Sequence, residues 1–495
     1  MKNLIGIMVA SWLVIATAAA QTGSSMPGMD MSQHDMGDMQ KPPTHANQQL
    51  QEPESPEMHT GASLPAPELL KEVAARTSVK LSELLQLADA NNPTLKQAAA
   101  IVRRSAGQAK QAGLYPNPSV GYQGEQIRGG SFGGGEQGAY IAQSIILGGK
   151  TGLRRDIYEQ QKKSDEAVAE AQIYRVHGDV TQAFYRTLSV QETIVVRRRL
   201  LKLTLDAVET AHQLANVGQA DAPDILQAEV EAEQAKVDYT RAQRDFLQNF
   251  RMLAAVVGKS DLPASPLEAA LDAVPEIDTD RIVDTIVQSS PAVKQAQQEV
   301  AVGEARLKDA KRESIPDLQL KAGEQYNFEA LSDAPTKAAG PQSFASAGIN
   351  IPLWNRNQGN KEAAGADIER ARQDLQRVQL SLRQQAEPLV QMYLSSKFEA
   401  DRYRTQLIPR AARAYQLYLK KYQNMAMAYP QVLVSQRTLF QLQVGYIQAL
   451  DSVWQSAIAL QNYTLKGGLE VPMTTGSWAT TVNLPTSNGG GGGME

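Results

Sequence analysis

Apolar residues recur at the spacing of an α-helix through most of this chain, and the rhythm breaks twice. Residues 118–152 and 316–359 alternate in the manner of strands, with a soft loop inside each stretch. Strands are expected at about 118–126 and 139–147, and again at about 317–327 and 343–352. The glycine-rich stretch 129–138 joins the first pair and suits an exposed tip. Before it, Leu81, Leu84, Leu85, Ala88 and Leu95 repeat at helical spacing, interrupted by Asn91-Asn92-Pro93, until Pro116 and Pro118 end the run. From about 152 to 217 there is no proline and one internal glycine, Gly178, which predicts a helix of roughly 95–100 Å. There Ile173, Val180, Thr187, Ile194, Leu201 and Val208 keep a seven-residue repeat, with Val176, Ala183 and Val190 offset by three, as in a coiled coil. Phe184, Leu188 and Val195 form a second stripe, so neighbours are expected on two sides. The helix should stop at Val217-Gly218 and return over about 224–257.

The same programme then restarts. Asn92-Pro93-Thr94-Leu95-Lys96-Gln97-Ala98 is echoed by Ser290-Pro291-Ala292-Val293-Lys294-Gln295-Ala296, and Pro118 by Pro316. At a slightly larger offset, Pro223, Leu226 and Tyr239 match Pro430, Leu433 and Tyr446. Helix, strand, strand, long helix, turn and shorter helix therefore occur twice, an internal duplication. The long helices, about 152–217 and 360–424, are each near twice the length of the shorter ones. Two short helices stacked end to end would match one long helix, giving a layer of uniform height.

Four strands cannot close a barrel, and their edges would invite aggregation. They are nonetheless long enough to cross a bilayer when tilted. Tyr122, Tyr140, Tyr326, Phe328, Phe344 and Trp354 stand where interfacial aromatic belts would need them. Only closed barrels or helices satisfy backbone groups in lipid, so several chains must pool their strands. Three chains would supply twelve, wide enough for an aqueous channel. The expected fold is mainly α with a small β part.

Composition refines this picture. Aromatics are scarce at 6%, as suits long helices rather than compact α/β domains. A formal charge of −4, with no basic patch interleaved by aromatics, excludes a nucleic-acid binder. Residues 1–20 read as a secretory signal: Lys2, an apolar run from Leu4 to Ile15, then Ala18-Ala19-Ala20. Residues 21–77 are rich in Pro, Gln, Ser and Gly and are expected to be a disordered tail. In it Met26, Met29, Met31, Met36 and Met39 crowd around His34, followed by His45, Met58 and His59. Thioether sulfur selects Cu(I), and by extension Ag(I), and imidazole also suits copper. The tail therefore reads either as a transient Cu(I)/Ag(I) site or as a linker with accidental bias. The first repeat is placed at 78–258, a Pro-rich linker at 259–279, the second repeat at 280–468 and a glycine-rich tail at 469–495.

Three local motifs, set in this duplicated framework, resemble the TolC-like outer-membrane efflux family over roughly residues 78–468. Ile351-Pro352-Leu353-Trp354-Asn355-Arg356-Asn357-Gln358-Gly359 is similar to the strand-to-helix junction of that family's heavy-metal branch. Ser144-Ile145-Ile146-Leu147-Gly148-Gly149-Lys150 resembles the matching junction of the first repeat. Val217-Gly218 with Asp224-Ile225-Leu226-Gln227-Ala228 resembles the periplasmic helix-tip motif. The resemblance implies a homotrimer with a twelve-stranded outer-membrane barrel and a helical tunnel across the periplasm. It also implies docking onto a periplasmic adaptor (membrane fusion protein) joined to an inner-membrane RND-type pump that expels cations such as copper, silver, cobalt, zinc or cadmium. The tip residues Val217, Gly218, Asp224, Ile225, Leu226, Met425, Pro430, Gln431 and Leu433 would then contact the adaptor or hold a closed iris. They would equally suffice for a plain helical hairpin. The junction residues are Leu147, Gly148, Gly149, Leu353, Trp354, Asn355, Arg356, Asn357, Gln358 and Gly359.

The second tip departs from the family pattern. Asn424-Met425 replaces Val-Gly, and Gln431 and Val434 stand where some relatives carry acidic residues, so no acidic iris is expected there. Met425 and Met427 suit either soft metals or packing. Gly148-Gly149-Lys150-Thr151 imitates the end of a phosphate-binding loop, but Ser144 occupies the position of its first glycine. There are five histidines, and His177 and His212 on the long helix have no nucleophile or metal partner at ligand spacing, so no enzyme is expected. A conduit for drugs or secreted protein, and a periplasmic coiled-coil adaptor, are the rival readings. In this reading Asp224 caps the returning helix.

Overall fold

The computed structural model describes residues 72–127, 134–218, 220–331, 334–424, 426–427 and 429–472. The chain divides into two units, Met1–Ser63 and Leu64–Glu495, and every described residue belongs to the second. The expected signal, the Met/His tail, Met425 and residues 473–495 lie outside the described residues.

The first repeat runs α1 (Leu81–Asn91), α2 (Pro93–Ala112), β1 (Ser119–Glu125), β2 (Glu136–Ile145), α3 (Lys150–Asn216) and α4 (Ala222–Val257). The second runs α5 (Ile282–Ser289), α6 (Pro291–Arg312), β3 (Leu318–Leu331), β4 (Ala334–Ile349), α7 (Gln358–Arg402), α8 (Ile408–Gln423) and α9 (Tyr429–Gln461). A π-helical turn, Tyr403–Leu407, joins α7 to α8. Together they span 358–423 and match the 67-residue α3 to within one residue. The order continues to Pro472, past the expected tail boundary at 469.

End-to-end stacking has a specific rivet. Asn92 breaks the helix between α1 and α2 because Pro93 cannot continue α1's hydrogen bonds. Fully buried, it caps α2 by accepting from Thr94 N (2.9 Å) and Thr94 Oγ1 (2.7 Å). Its amide then donates to Val256 O at 2.8 Å, binding the end of α4. Gly258 closes α4 with φ +82°, where a Cβ would lie 2.9 Å from the backbone of Asn91. Along the flank of both runs α3, so one long helix spans two short ones.

The core follows the predicted stripes. Val176, Val180, Phe184, Leu188 and Ile194 of α3 pack with Phe246, Phe250 and Leu253 of α4 and Leu84 of α1. Ile173 and Val195, expected in the same stripes, are exposed in the single chain. The segment 259–279 is more than a linker: Leu267 and Leu271 enter the core, and Leu271 O accepts from Trp454 Nε1 at 2.7 Å. Trp454 in turn stacks on Tyr185 with ring centroids 3.5 Å apart. Residues after α9 strap back across α3, where Gly468 N donates to Asp179 (2.7 Å) and Gly468 O accepts from Thr94 and Gln172.

The four strands form one antiparallel sheet in the order β1-β2-β3-β4. β2 starts three residues before the expected 139, and β3 and β4 run to 14 and 16 residues, past the expected 317–327 and far before the expected start at 343. The alternation reading lost these ends because Gly, Ala and Gln fill them and carry little apolar signal. β2 pairs with β3 through ten continuous rows, the length a tilted strand needs to cross a bilayer.

The two faces of this sheet are inverted relative to a water-soluble protein. One carries Gly121, Gln123, Glu136, Gly138, Lys321, Gln325, Asn327 and Gln342, and it is the less accessible face. The other carries Val120, Tyr122, Ile141, Leu320, Tyr326 and Ile349, all exposed, with Glu324 the one charged side chain among its continuously paired rows. Polar within and apolar without is the pattern of a lipid-facing barrel wall. Register also sorts the aromatics. Tyr122 and Tyr326 stand on the apolar face, as a belt requires. Tyr140 and Phe344 stand on the polar face, against expectation, because a one-residue parity decides the face.

Between α2, α3 and α6 lies a buried polar cluster. Ser105 donates to Asp165, Gln161 donates to it at 3.3 Å, and Ser164 donates to Glu299 at 2.7 Å. Burial pushes the Asp165 carboxyl above its ordinary value, opposed by the Ser105 and Gln161 bonds and by Arg104 and reinforced by Glu299. A raised carboxyl favours the folded state most when protonated, so that contribution fades as pH rises through the folded value. Asp165→Asn keeps an acceptor for Ser105 without the charge. Its thermal midpoint should fall less than that of the wild type between pH 4 and pH 8; parallel curves would contradict the assignment.

Candidate functional site: strand-to-helix junctions and helix tips

After β2 the chain must turn sharply to enter α3. Gly148 and Gly149 do this with φ +73° and +70°, the second as the N-cap of α3. A Cβ on Gly148 would also lie 2.7 Å from Ile315 Cδ1. Lys150 follows with its side chain 3% exposed, paired with Asp317 at 2.7 Å and donating to Ile315 O at 2.9 Å. Leu147 N donates to the same Asp317 oxygen at 3.1 Å. One carboxylate thus ties the exit of β2 to the entry of β3. The lysine that imitates a phosphate-binding loop is fully engaged in holding two strands.

The second junction solves the same problem without glycine. Asn357 takes φ +62° as N-cap of α7, a left-handed conformation that asparagine tolerates better than most residues. Its side chain donates to Ala310 O at 2.9 Å, and Asn360 donates to its Oδ1 at 2.6 Å. Around it, Asn357 N donates to Asn355 Oδ1 (3.1 Å), Arg356 N to Gln358 Oε1 (2.8 Å), and Gln358 Nε2 to Trp354 O (3.2 Å). The Asn-Arg-Asn-Gln-Gly string is therefore a self-bonded turn. Gly359 makes no close approach that demands glycine. Leu353 and Trp354, between the end of β4 and α7, are exposed, Trp354 to 87%.

At the opposite end, α3 stops at Asn216, and Gly218 takes φ +73° with open space around it. Asp221, not Asp224, is the N-cap of α4. Asp224 is the third helical residue and accepts from Asp221 N at 3.3 Å, the reciprocal half of a capping box. Pro223, whose ring is preorganised for the first helical turn, places the cap at Asp221, three residues before Asp224. Val217 and Leu226 are exposed, and Ile225 is half-buried.

The second tip stands beside the first. Arg437 of α9 pairs with Glu231 of α4. Tyr422 and Tyr429 pack at 5.1 Å, and Tyr429 is pushed up to about 12 by burial, then by Tyr422, Tyr415 and Glu231. Pro430 and Gln431 are exposed and Leu433 is half-buried. Ala411, Ala414 and Tyr418 of α8 face Pro430, Gln431 and Val434 of α9 across a mostly apolar groove. The first tip thus exposes Val217 and Leu226, and the second exposes this groove. Met427 is half-buried.

Among the described residues no group of three or more His, Asp or Glu side chains could hold a metal ion. His177 pairs with Asp89 at 2.7 Å and His212 with Glu229 at 3.4 Å.

The model of the family described as outer membrane efflux protein matches residues 84–259 and 282–464, one match for each repeat. The chain belongs to the outer membrane efflux protein family. This places it in the outer membrane with a large helical part outside the bilayer. Among its relatives, the cobalt-zinc-cadmium resistance protein CzcC of Cupriavidus metallidurans is 24% identical over 405 residues, 81% of this chain and 93% of that one. The nickel-cobalt-cadmium resistance protein NccC of Alcaligenes xylosoxydans xylosoxydans is 26% identical over 62% of this chain and 69% of its own length. The solved structure of CusC, reported for conformational changes in folding and transmembrane channel formation, superposes with TM-score 0.65 at 15% identity, over 80% of this chain and 94% of that one. The efflux family is one of channels, and no catalytic centre is indicated.

Sequence reading found the turns of the junctions but missed Lys150 and Asp317 as their fastener. The signal was available: a lysine directly after two glycines, and an aspartate directly after Pro316 in the repeated position. Removing Lys150 takes away the one cation on Asp317 and the donor to Ile315 O, though Asp317, 30% exposed, keeps Leu147 N, so the cost falls below that of a fully buried pair. Lys150→Met should therefore reduce assembled protein in outer-membrane fractions. Lys150→Met with Asp317→Leu should recover much of it, and an unaffected single variant would remove Lys150 from this role.

Proposed function

We propose that this chain is the outer-membrane channel of a tripartite efflux system, a passive homotrimeric conduit that exports heavy-metal cations. The observation that carries the channel reading is the inverted sheet: polar on its less accessible face, apolar on its exposed face, and open at β1 and β4. Three such sheets joined edge to edge would make a closed barrel of about twelve strands with a polar lumen. The helical repeats would continue that lumen into the periplasm. The paired tips, with Val217, Gly218, Asp224, Ile225 and Leu226 on one and Met425, Pro430, Gln431 and Leu433 on the other, would meet a periplasmic adaptor. That adaptor would connect the conduit to an inner-membrane RND-type pump. The junction residues hold the boundary between membrane barrel and tunnel. No cofactor is required, because a conduit works by gating and docking.

The cargo reading rests on two supports. The printed names of CzcC and NccC carry cobalt, zinc, cadmium and nickel, which favours divalent metal cations. Met26, Met29, Met31, His34, Met36 and Met39 favour copper or silver, held transiently as Cu(I) or Ag(I) by soft donors. Both are heavy-metal cations, and the metal itself separates them. Removing the gene should lower tolerance to cobalt, zinc, cadmium or nickel, or to copper and silver, while tolerance to antibiotics and solvents holds. Restoring a chain without residues 21–77 should fail to rescue copper and silver tolerance alone if the tail serves those ions. Intact metal tolerance beside lost drug tolerance would reverse the cargo.

A further inference from the structure

One row of the sheet reads Gly121, Tyr140, Gly323, Phe344 across its four strands, all on the polar face. Each aromatic lies flat over a neighbouring glycine. A Cβ on Gly121 would meet Tyr140 Cζ at 2.6 Å, and one on Gly323 would meet Phe344 Cζ at 2.8 Å. The glycines thus let two large rings lie along the wall instead of projecting from it. Two rows nearer the junctions, the next on the same face, stands Lys321, opposite Ala142 and Ser346. Its ammonium lies 4.1 Å from the centre of the Tyr140 ring and 5.7 Å from that of Phe344, and it donates to Gln123 Oε1. These direct partners are neutral, but Gln123 donates in turn to Glu125, so a carboxylate of the same face stands one side chain beyond the ammonium. Lys321 is the only basic residue in the continuously paired rows of the sheet. Glu125 and Glu136, the carboxylates of the same face in those rows, stand opposite each other six residues along the strands, and Glu125 is linked to Lys321 through Gln123.

We propose that Lys321 is a specificity-determining residue of the exit path: a fixed positive charge, held between Tyr140 and Phe344, that raises the preference for anions over cations at its own level of the barrel. Rings of lysine or arginine act in this sense in pores, and cation–π contacts hold the ammonium in place without neutralising it. In a passive conduit such a ring slows cations in both directions, so outward flow past it is driven by the pump and return from the medium is not. The inference rests on the reading that the polar face lines the lumen of a closed barrel.

The chain contains no cysteine, so single cysteines are unique reporters. Ser346→Cys places a thiol directly opposite Lys321 on the polar face, and Ala347→Cys places one on the apolar face. Outer membranes carrying either variant are treated with a negatively charged sulfonatoethyl or a positively charged trimethylammonioethyl thiosulfonate. At Ser346→Cys the anionic-to-cationic rate ratio should fall at least about twofold when Lys321→Gln is added, and stay with Lys321→Arg. The difference should vanish in about 1 M salt, where charges are screened beyond about 3 Å. An unchanged ratio at a reactive Ser346→Cys overturns the role of Lys321 and leaves the barrel standing. Reaction at Ala347→Cys with none at Ser346→Cys overturns the face assignment, and the barrel reading with it.

Discussion

The open edges of the β1-β4 sheet constrain everything else in this molecule. In hydrocarbon each unpaired backbone N–H or C=O costs several kcal/mol, and water is not there to take their place. A single chain offers β1 on one side and β4 on the other with nothing beside them. Its apolar face, from Val120 to Ile349, would be a liability in water, and its polar face would be one in lipid. Both problems end together when edges meet edges and the polar face turns inward. A conduit is what that closure leaves behind.

The helical part has to serve such a closure with uniform height and a fixed angle of entry. Height comes from duplication, since each long helix is flanked by two short ones, joined in the first repeat at the fully buried Asn92. Angle comes from two left-handed N-caps, Gly149 and Asn357, which occupy corresponding positions of the repeats. They reach it by different chemistry, glycine by having no Cβ and asparagine by local hydrogen bonds. Lys150 and Asp317 then fasten the first turn to the strand of the second repeat, so the two repeats enter the barrel as a unit.

Much of this was legible in the sequence because helices and repeats leave periodic traces. The long helices, the break at Asn91-Asn92-Pro93 and the first strand pair stand close to their expected places, while β4 begins nine residues before its expected start at 343. Other features carry no periodic trace. The ends of β3 and β4 are rich in Gly, Ala and Gln, which mark neither face. Whether Tyr140 and Phe344 face lipid or lumen depends on register across strands far apart in sequence. Asp221 and Asp224 both suit a cap, and only the placement of Pro223 in the first turn decides between them. Lys150 ended only a false phosphate-loop motif in the sequence, and its true role stayed hidden because its partner, Asp317, is remote in the chain. Met425 and the Met/His tail lie outside the described residues, so their chemistry rests on composition.

The central claim is that the edges of the sheet belong to neighbouring copies. Cysteines can be placed in pairs, one at Val120 of β1 and one at Ala345 or Ala347 of β4, in a chain otherwise free of them. Oxidation in the native membrane should link the best-matched pair into a ladder of one, two and three chains that ends at three. Linkage confined within one chain, or a ladder running past three, would contradict the account.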